Sequence, residues 1–359
     1  ASESWPGPSG ATLFSRHADL PEPDTEARSL ESIADDDGIQ SVVLDRAMLV
    51  HLHLDPRRDA ASSWRRVRQL HAAGCEYSLD PLGTMSIESE ASTRIVGYAQ
   101  HWDPRLRSAQ SWLRDLLHRN LLEHRSASRA QRTSALRACV PFGRRLGERI
   151  ADLHAMLSSE VDERPHRDAR TAPRPPAAAL LAAFDLEREP MVQQIGRPST
   201  IDALREVLVD RIAACDSPDP LGVGPLHGCL DLANVMLRGD DVVFVRFGAS
   251  SETRSSESDA HGNRASDLAA TLFGFDRICA GLQPDAGAGS ARDRSFVRDV
   301  RSEWRAAVLA GYRARNGKEP SPQWLQILQA QRALQQLHHA LHRGAAATVV
   351  RALRWTLST

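Results

Sequence analysis

Apolar and polar residues alternate in short runs over the first hundred residues. Strands are predicted from this pattern at 42–44, 48–54 and 93–102. Asp45 and Arg46 separate the first two runs, so these should form an antiparallel hairpin. Because side chains alternate along a strand, His51 and His53 are expected on one face of the second hairpin strand. Residues 61–73 instead show helical spacing, which predicts a single helix within this sheet-forming part.

The pattern changes to helical spacing after residue 105. Helices are predicted at 109–123, 134–158, 201–215, 296–314, 322–343 and 345–356. Ser199 and Thr200 are predicted to cap the helix that begins at residue 201. One apolar strand, 242–248, interrupts the helical pattern and is followed by a polar run at 249–264 that predicts a mobile loop. The chain therefore reads as α+β, with a sheet first and helices afterwards.

Two segments rich in proline and charge do not fit either pattern. Residues 1–36 are rich in Pro, Ser, Asp and Glu, and we expect one strand near residue 12 and a short helix at 27–33. Residues 161–190 contain a Pro/Arg-rich stretch that predicts an excursion between helices and not a domain boundary.

Composition narrows the class of protein. A chain of 359 residues can bury a large core and form two lobes. Its net charge of −1 gives no electrostatic reason for binding nucleic acid or an anionic membrane. No run approaches the ~20 apolar residues of a membrane span, and the first residues lack signal-peptide character. The five cysteines are scattered without a C-x-x-C pair, so we expect reduced thiols and a cytoplasmic protein.

The most informative motif begins at His227 and ends at Asn234. Small-molecule phosphotransferases carry a catalytic loop H-G-D-x-H-x-x-N, whose Asp accepts the substrate proton and whose Asn holds magnesium. Here His227, Gly228 and Asn234 keep the spacing, but Cys229 replaces the Asp and Asp231 replaces the second His. A thiol cannot position a hydroxyl as a carboxylate does. The loop resembles a phosphotransferase loop without its base.

Two further positions have lost their expected chemistry. Strand 242–248 resembles the strand that ends in the metal-binding Asp of a D-F-x-G element, but the position is Arg246. A guanidinium is always cationic and cannot bind magnesium. Kinases also hold the nucleotide phosphates with a lysine on a sheet strand. The only lysine of this chain is Lys318, so none is available there.

Residues 38–359 resemble maltokinases, which belong to the aminoglycoside-phosphotransferase group of kinases. Besides the two motifs above, residues 41–51 resemble S-V-V-x-G-D-R-L-x-L-K, with His51 at the lysine position. The family glutamate that pairs with this lysine falls on Ser63 or Arg65. Further similarity lies at 146–154, 266–276, 304–312 and 331–338. The resemblance implies that His227 and Gly228 shape the loop and that Asp267 hydrogen-bonds to it.

The resemblance also implies a protein-kinase-like fold. We expect a truncated N-terminal cap at 1–36, an antiparallel-sheet N-lobe with the hinge at 37–104, and a helical C-lobe at 105–359. Because the lysine, its glutamate and both catalytic aspartates are replaced, we expect no cofactor and no bound metal ion. We also expect Arg246 to pair with Asp231 or Asp267. The pairs His51/His53 and His338/His342 have spacings that zinc ligands can have, but the first pair lacks a further ligand and a solvated face is favoured for the second.

Three functions remain open. The first is an inactive kinase homologue that regulates or scaffolds a carbohydrate enzyme, such as an active maltokinase or a trehalose synthase in trehalose, maltose or glycogen metabolism. The second is an active sugar phosphotransferase or other ATP-dependent enzyme with a remodelled cleft. In that case Asp231 could act as base, Arg246 could hold a phosphate, or Cys229 could be a nucleophile. The third is a module that binds a sugar or nucleotide without a protein partner.

Overall fold

The computed structural model describes most of the chain. The described residues are 4–6, 12–16, 30–36, 39–53, 60–89, 92–126, 134–158, 177–215, 219–228, 230–248, 261–282 and 291–357. Within these ranges the sheet-forming part precedes the helical part, as the sequence predicted.

The first part forms a seven-stranded antiparallel sheet. Its strands are β1 (Ser4–Pro6), β2 (Thr12–Arg16), β3 (Leu30–Asp36), β4 (Ile39–Leu44), β5 (Met48–His53), β6 (Pro81–Ser89) and β7 (Ser92–His101). They lie in the order β1-β2-β6-β7-β5-β4-β3. The helix expected at 27–33 is wrong over 30–33, because these residues belong to β3. That strand supplies the hydrogen-bonding partner for β4, with Leu30 opposite Leu44.

The hairpin β4–β5 has the predicted turn, and the turn fixes its register. Asp45 and Arg46 have φ values of 51° and 56°, which suit a hairpin turn that follows the twist of the strands. Pairing from Leu44 and Met48 outward places Ser41 directly opposite His51. Strand β7 lies on the other side of β5 and places Tyr98 opposite His51.

The second part is mainly helical. After α1 (Ala61–Ala72) in the sheet region, the helices are α2 (Ala109–Ser126), α3 (Ser134–Ser158), α4 (Ala177–Ile195), α5 (Pro198–Ala213), α6 (Ala265–Leu282), α7 (Ala291–Asn316), α8 (Pro322–His342) and α9 (Ala346–Leu357). Short strands β8 (Arg107–Ser108), β10 (Val235–Arg238) and β11 (Asp241–Phe244) form one small sheet. Strands β9 (Val223–Pro225) and β12 (His261–Asn263) form another.

One sequence expectation about α5 needs correction, and one that precedes α4 is untested. The Pro/Arg-rich stretch at 170–176, predicted as an excursion between helices, lies outside the described residues, and α4 follows it. Helix α5 begins at Pro198, and its N-cap Arg197 makes no side-chain cap bond. The Ser199–Thr200 cap is therefore wrong, because the fixed φ of proline favours the first helical position.

A large apolar core joins the helices. Phe275 of α6 stacks on Trp304 of α7, with ring centroids 4.0 Å apart. Both side chains are fully buried. None of the described helices is long and apolar enough to cross a bilayer.

Candidate functional site

The loop around His227 is held by one buried carboxylate. Asp267, in the first turn of α6, accepts hydrogen bonds from the backbone N–H groups of His227 (2.8 Å) and Gly228 (3.1 Å). Its Oδ2 also lies 3.0 Å from Nε2 of His154, whose Nδ1 lies 3.0 Å from the Tyr312 hydroxyl. Burial alone would raise the pKa of Asp267, but the bond and charge of His154 lower it below its usual value. The loop is thus anchored to α3, α6 and α7.

Gly228 is required by the close packing of two turns. Its φ is +85°, and an added Cβ would lie only 2.0 Å from the carbonyl oxygen of Gly248. Gly248 in turn donates its N–H to the His227 carbonyl at 3.3 Å. Any side chain at 228 would separate the loop from the turn at 245–248. Cys229, at the position of the catalytic base, lies outside the described residues.

Asp231 is buried and faces helices α6 and α8. Its carboxylate accepts from Gln336 at 2.8 Å and from the N–H of Ala233 at 3.2 Å. Arg277 and Arg332 approach it to 3.7 and 4.0 Å. Burial would raise the pKa of Asp231, but the charges of Arg277 and Arg332 lower it below the usual value. These contacts hold the carboxylate of Asp231 against α6 and α8.

Asn234 closes the same loop through its backbone. Its N–H donates to the Asp231 carbonyl at 2.9 Å, and its own carbonyl accepts from Val245 at 3.0 Å. The side chain is buried. These two bonds fix the loop against the strand that leads to Arg246.

Arg246 extends from the helical part to the sheet. It is 1% exposed, and its guanidinium donates to the carbonyl of Ile39, the first residue of β4, at 2.7 Å. Its φ of 60° lies in the left-handed region, which costs a non-glycine residue roughly 1–3 kcal/mol. We expected Arg246 to pair with Asp231 or Asp267. The structure instead holds Asp231 with α6 and α8 and Asp267 with His154 and the loop.

His51, at the lysine position, is an uncharged residue of the core. Its Nδ1 lies 2.8 Å from the Ser41 hydroxyl, and its ring centroid lies 4.7 Å from that of Tyr98. The side chain is fully buried. Burial first, and then the nearby charge of Arg246, lower its pKa to about 3. His51 therefore places no positive charge where a kinase lysine would.

Helix α1 contributes an arginine that the sequence reading missed. Of the two candidates for the glutamate position, Ser63 is fully buried and Arg65 is exposed. Arg66 is buried and donates to the carbonyl of His227 at 3.1 Å. Ser63, Arg66 and Leu70 share one helical stripe, so the spacing alone could have predicted that Arg66 faces inward.

His227 is also a buried, neutral histidine. Its ring centroid lies 4.4 Å from that of Phe247, and burial lowers its pKa to about 4 despite the opposing charge of Asp267. The Phe247 carbonyl accepts from the Tyr98 hydroxyl at 3.1 Å. Hydrogen bonds from Arg66, from Tyr98 and to the carbonyl of Ile39 therefore connect the sheet part to the loop region.

The two buried histidines predict a loss of stability in mild acid. In the unfolded chain a histidine has a pKa of about 6.5, so between pH 6.5 and the folded values the unfolded state binds more protons. The free energy of unfolding is highest above pH 6.5 and falls as the pH decreases, by roughly 2 kcal/mol for each histidine at pH 5. Thermal melting between pH 7.5 and 5.0 measures this loss.

The control for this prediction is a pair of variants. His51→Gln should melt with a weaker dependence on pH, because it removes one of the two groups. His71→Gln, at an exposed position, should retain the wild-type dependence. The same pH dependence for His51→Gln and wild type would contradict the assignment of His51 as a buried neutral base.

No metal centre is apparent in the described ranges. They contain no group of three or more His, Cys, Asp and Glu residues that could hold an ion. His338 lies 3.0 Å from Glu187, and the side chain of His342 lies outside the described residues. The donors near Arg246 do not fit a magnesium–nucleotide complex either, because a permanent cation occupies the position that the maltokinase resemblance assigns to the metal ligand.

Comparison with known proteins shows the fold. No family model and no curated protein matches the sequence. Solved structures do match. A glucosamine kinase in complex with glucosamine, ADP and inorganic phosphate superposes with a TM-score of 0.64 at 15% identity, over 98% of this chain and 90% of that chain. The chain has the kinase-like fold.

Two other structures support the same fold. Crystal form A of a glucosamine kinase gives a TM-score of 0.60 at 16% identity, over 97% of this chain and 86% of that chain. An amicoumacin kinase in complex with AMP-PNP, Ca²⁺ and Ami gives 0.51 at 12% identity, over 93% and 89%. The predicted α+β kinase-like architecture is confirmed. The resemblance to maltokinases is supported at the level of this fold.

Proposed function

We propose that the protein is a catalytically inactive member of the kinase-like fold that acts by binding. The observation that carries the proposal is Arg246, a buried guanidinium at the position of a magnesium-binding Asp, bonded to Ile39 of the sheet. A cation at this point repels magnesium instead of binding it. The guanidinium also joins the two parts of the molecule where a kinase must admit nucleotide phosphates.

The neighbouring positions support the same conclusion. His51 is neutral at physiological pH and donates no charge to a phosphate. Ser63 and Arg65 supply no carboxylate on α1. Phosphoryl transfer depends on positioning and on charge stabilisation by the lysine and the metal together. Asn234 alone can neither position the phosphates nor stabilise their charge.

The proposed role is that of a regulatory or scaffolding subunit in the cytoplasm. The partner class is a carbohydrate enzyme of trehalose, maltose or glycogen metabolism. Similarity to solved glucosamine kinases and the maltokinase-like motifs support this class. The hydrogen bonds of Asp267 preserve the shape of the loop at His227 and Gly228, and a protein that acts by binding can use this loop without catalysis. A net charge of −1 argues against nucleic acid or an anionic membrane as partner.

An active sugar phosphotransferase with a remodelled cleft is the second candidate. The solved structures of similar fold include sugar and small-molecule kinases, and Asp231 lies two residues from the base position. Its carboxylate, however, accepts from Gln336 and faces Arg277 and Arg332. To act as base it would have to leave these partners, which costs several kcal/mol for a buried charge.

Nucleotide binding and turnover distinguish the two functions. We expect no rise in melting temperature with millimolar Mg-ATP and no ADP release with glucosamine or maltose, while an active glucosamine kinase serves as positive control. A ligand at 100 times its Kd would stabilise the folded state by about 2.7 kcal/mol, so binding would be visible. A saturable rise or turnover above background would overturn the proposal.

The partner class needs its own measurement. The tagged protein, purified from its native host, should co-purify with a carbohydrate enzyme in fixed stoichiometry. Recovery of the protein alone, at physiological salt and without crosslinker, would contradict a stable subunit.

A further inference from the structure

A cavity of about 460 Å³ lies between α2 and α6, and its lining includes Arg277, the neighbour of Asp231 in the loop. Arg114 of α2 and Arg277 of α6 contribute its positive charge. Ile278 and Leu282 of α6 contribute an apolar wall, and Gly281 lines the cavity without a side chain. An apolar wall with a few polar groups is typical of small-molecule sites.

The two arginines have donors available for an anion. Arg277 donates to Gln336 at 2.8 Å, and its other terminal nitrogen lies 3.7 Å from Asp231, beyond hydrogen-bond distance. Arg114 is 64% exposed, and its contact with Asp115 is also 3.7 Å. A guanidinium carries five N–H donors in a planar fork that matches a phosphate or carboxylate. The cavity thus combines two guanidinium groups that have donors available with an apolar surface, and Gln110, Asp115 and His118 complete its lining.

Arg277 also connects the cavity to the loop. Its charge is the largest influence that lowers the pKa of Asp231 against the effect of burial. Asp231 accepts from the N–H of Ala233 and so begins the short 3-10 helix Leu232–Asn234. A ligand anion on Arg277 would compete with Asp231 for this guanidinium and weaken the hold on the loop.

We propose that this cavity binds a small molecule that carries one phosphate or carboxylate group on a compact apolar body. Its occupancy is transmitted through Arg277 to the loop at Asp231. The site does not depend on the catalytic state of the protein. It makes the loop region responsive to a metabolite that binds outside the contact between the sheet and the helices.

Phenyl phosphate is a suitable probe, tested by calorimetric titration of the full chain. It should bind saturably, at least about tenfold more tightly than inorganic phosphate or benzyl alcohol, because each of these lacks one half of the recognised chemistry. Equal affinity for benzyl alcohol would overturn the anionic part of the proposal. Absence of saturable binding below about 10 mM would overturn the site.

Gly281 offers a matched pair of variants that should remain folded. A Cβ at this position would meet only Thr348 Cγ2, at 3.9 Å, and alanine or leucine favours a helix over glycine. Gly281→Ala adds one methyl group and should bind phenyl phosphate as wild type does. Gly281→Leu places a bulky side chain in the lining of the cavity and should weaken binding at least about tenfold. Equal binding by both variants would place the ligand elsewhere.

Transmission to the loop is read by hydrogen exchange. On addition of phenyl phosphate, the backbone amides at 232–234 should exchange faster in wild type and in Gly281→Ala. Their exchange rate should not change in Gly281→Leu. Inorganic phosphate at the same concentration controls for ionic strength. Binding without any change at these amides would overturn the coupling through Arg277.

Discussion

Replacing His51 with lysine should destabilise the protein by about 3–5 kcal/mol, although lysine is the residue at this position in the kinases that the chain resembles. His51 is fully buried and lies in the field of Arg246, which already lowers its pKa. A lysine would be a second buried cation beside a guanidinium that cannot lose its proton. Urea unfolding at pH 7.5 measures the loss.

A change at Arg246 should rescue this variant. In the His51→Lys/Arg246→Asp double variant the two positions carry opposite charges, as they do in an active kinase. The double variant should be more stable than the sum of the two single changes by about 1–3 kcal/mol. His71→Lys, which adds the same cation at an exposed position of α1, should have little effect. Additive single effects would show that the two side chains do not share one electrostatic environment.

The same double variant also bears on function. Even with the lysine and one metal ligand restored, Cys229 leaves no catalytic base and Ser63 no partner for the lysine. We therefore expect it to release no ADP above background. The expected gain in stability of the double variant therefore comes from opposite charges in the folded state and does not require catalytic turnover.

The hairpin β4–β5 shows what local sequence determines. Its turn at Asp45–Arg46 follows from polar residues between two apolar runs, and outward counting from the turn places Ser41 opposite His51. The hydrogen bond between these two side chains could therefore have been predicted. Helix α3 was predicted at its observed limits for a similar reason, because its apolar spacing is regular over seven turns.

Contacts between distant segments set the limit of sequence prediction. Arg246 bonds to a residue 207 positions earlier in the chain, and no local pattern indicates that Ile39 has a carbonyl available there. The sequence suggests Asp231 as a possible base because it lies two residues from the base position. Its partners Arg277 and Gln336, however, come from α6 and α8. Strand β3 was misread for the same reason, because it is stabilised by pairing with β4 and not by its own periodicity.

The second large effect is expected at Asp276, a carboxylate in the core of the helical part. It accepts two hydrogen bonds from Arg301, at 2.7 and 3.0 Å, and one from Arg305 at 3.0 Å. Thr356 of α9 donates a further bond at 3.3 Å. Asp276 is fully buried and so joins α6, α7 and α9 through one charge.

Asp276→Ala should destabilise the protein by about 3–5 kcal/mol, because it leaves two guanidinium groups buried without their carboxylate. Burial already lowers the pKa of Arg305, and the charge of Asp276 opposes that effect. Asp276→Asn keeps one oxygen acceptor and should lose less than alanine. Chemical unfolding followed by tryptophan fluorescence measures both, since Trp304 lies within the same helices.

An exposed ion pair of similar length provides the comparison for burial. Asp185 pairs with Arg205 through two bonds of 2.6 and 3.0 Å, nearly the same lengths as the Asp276–Arg301 pair. Its side chain is 45% exposed, whereas that of Asp276 is 0% exposed. Asp185→Ala should therefore shift the unfolding midpoint by only a small fraction of the Asp276→Ala shift, because water can solvate the remaining arginine. Similar shifts for the two variants would mean that pair geometry, and not the desolvation of the orphaned arginines, determines the loss.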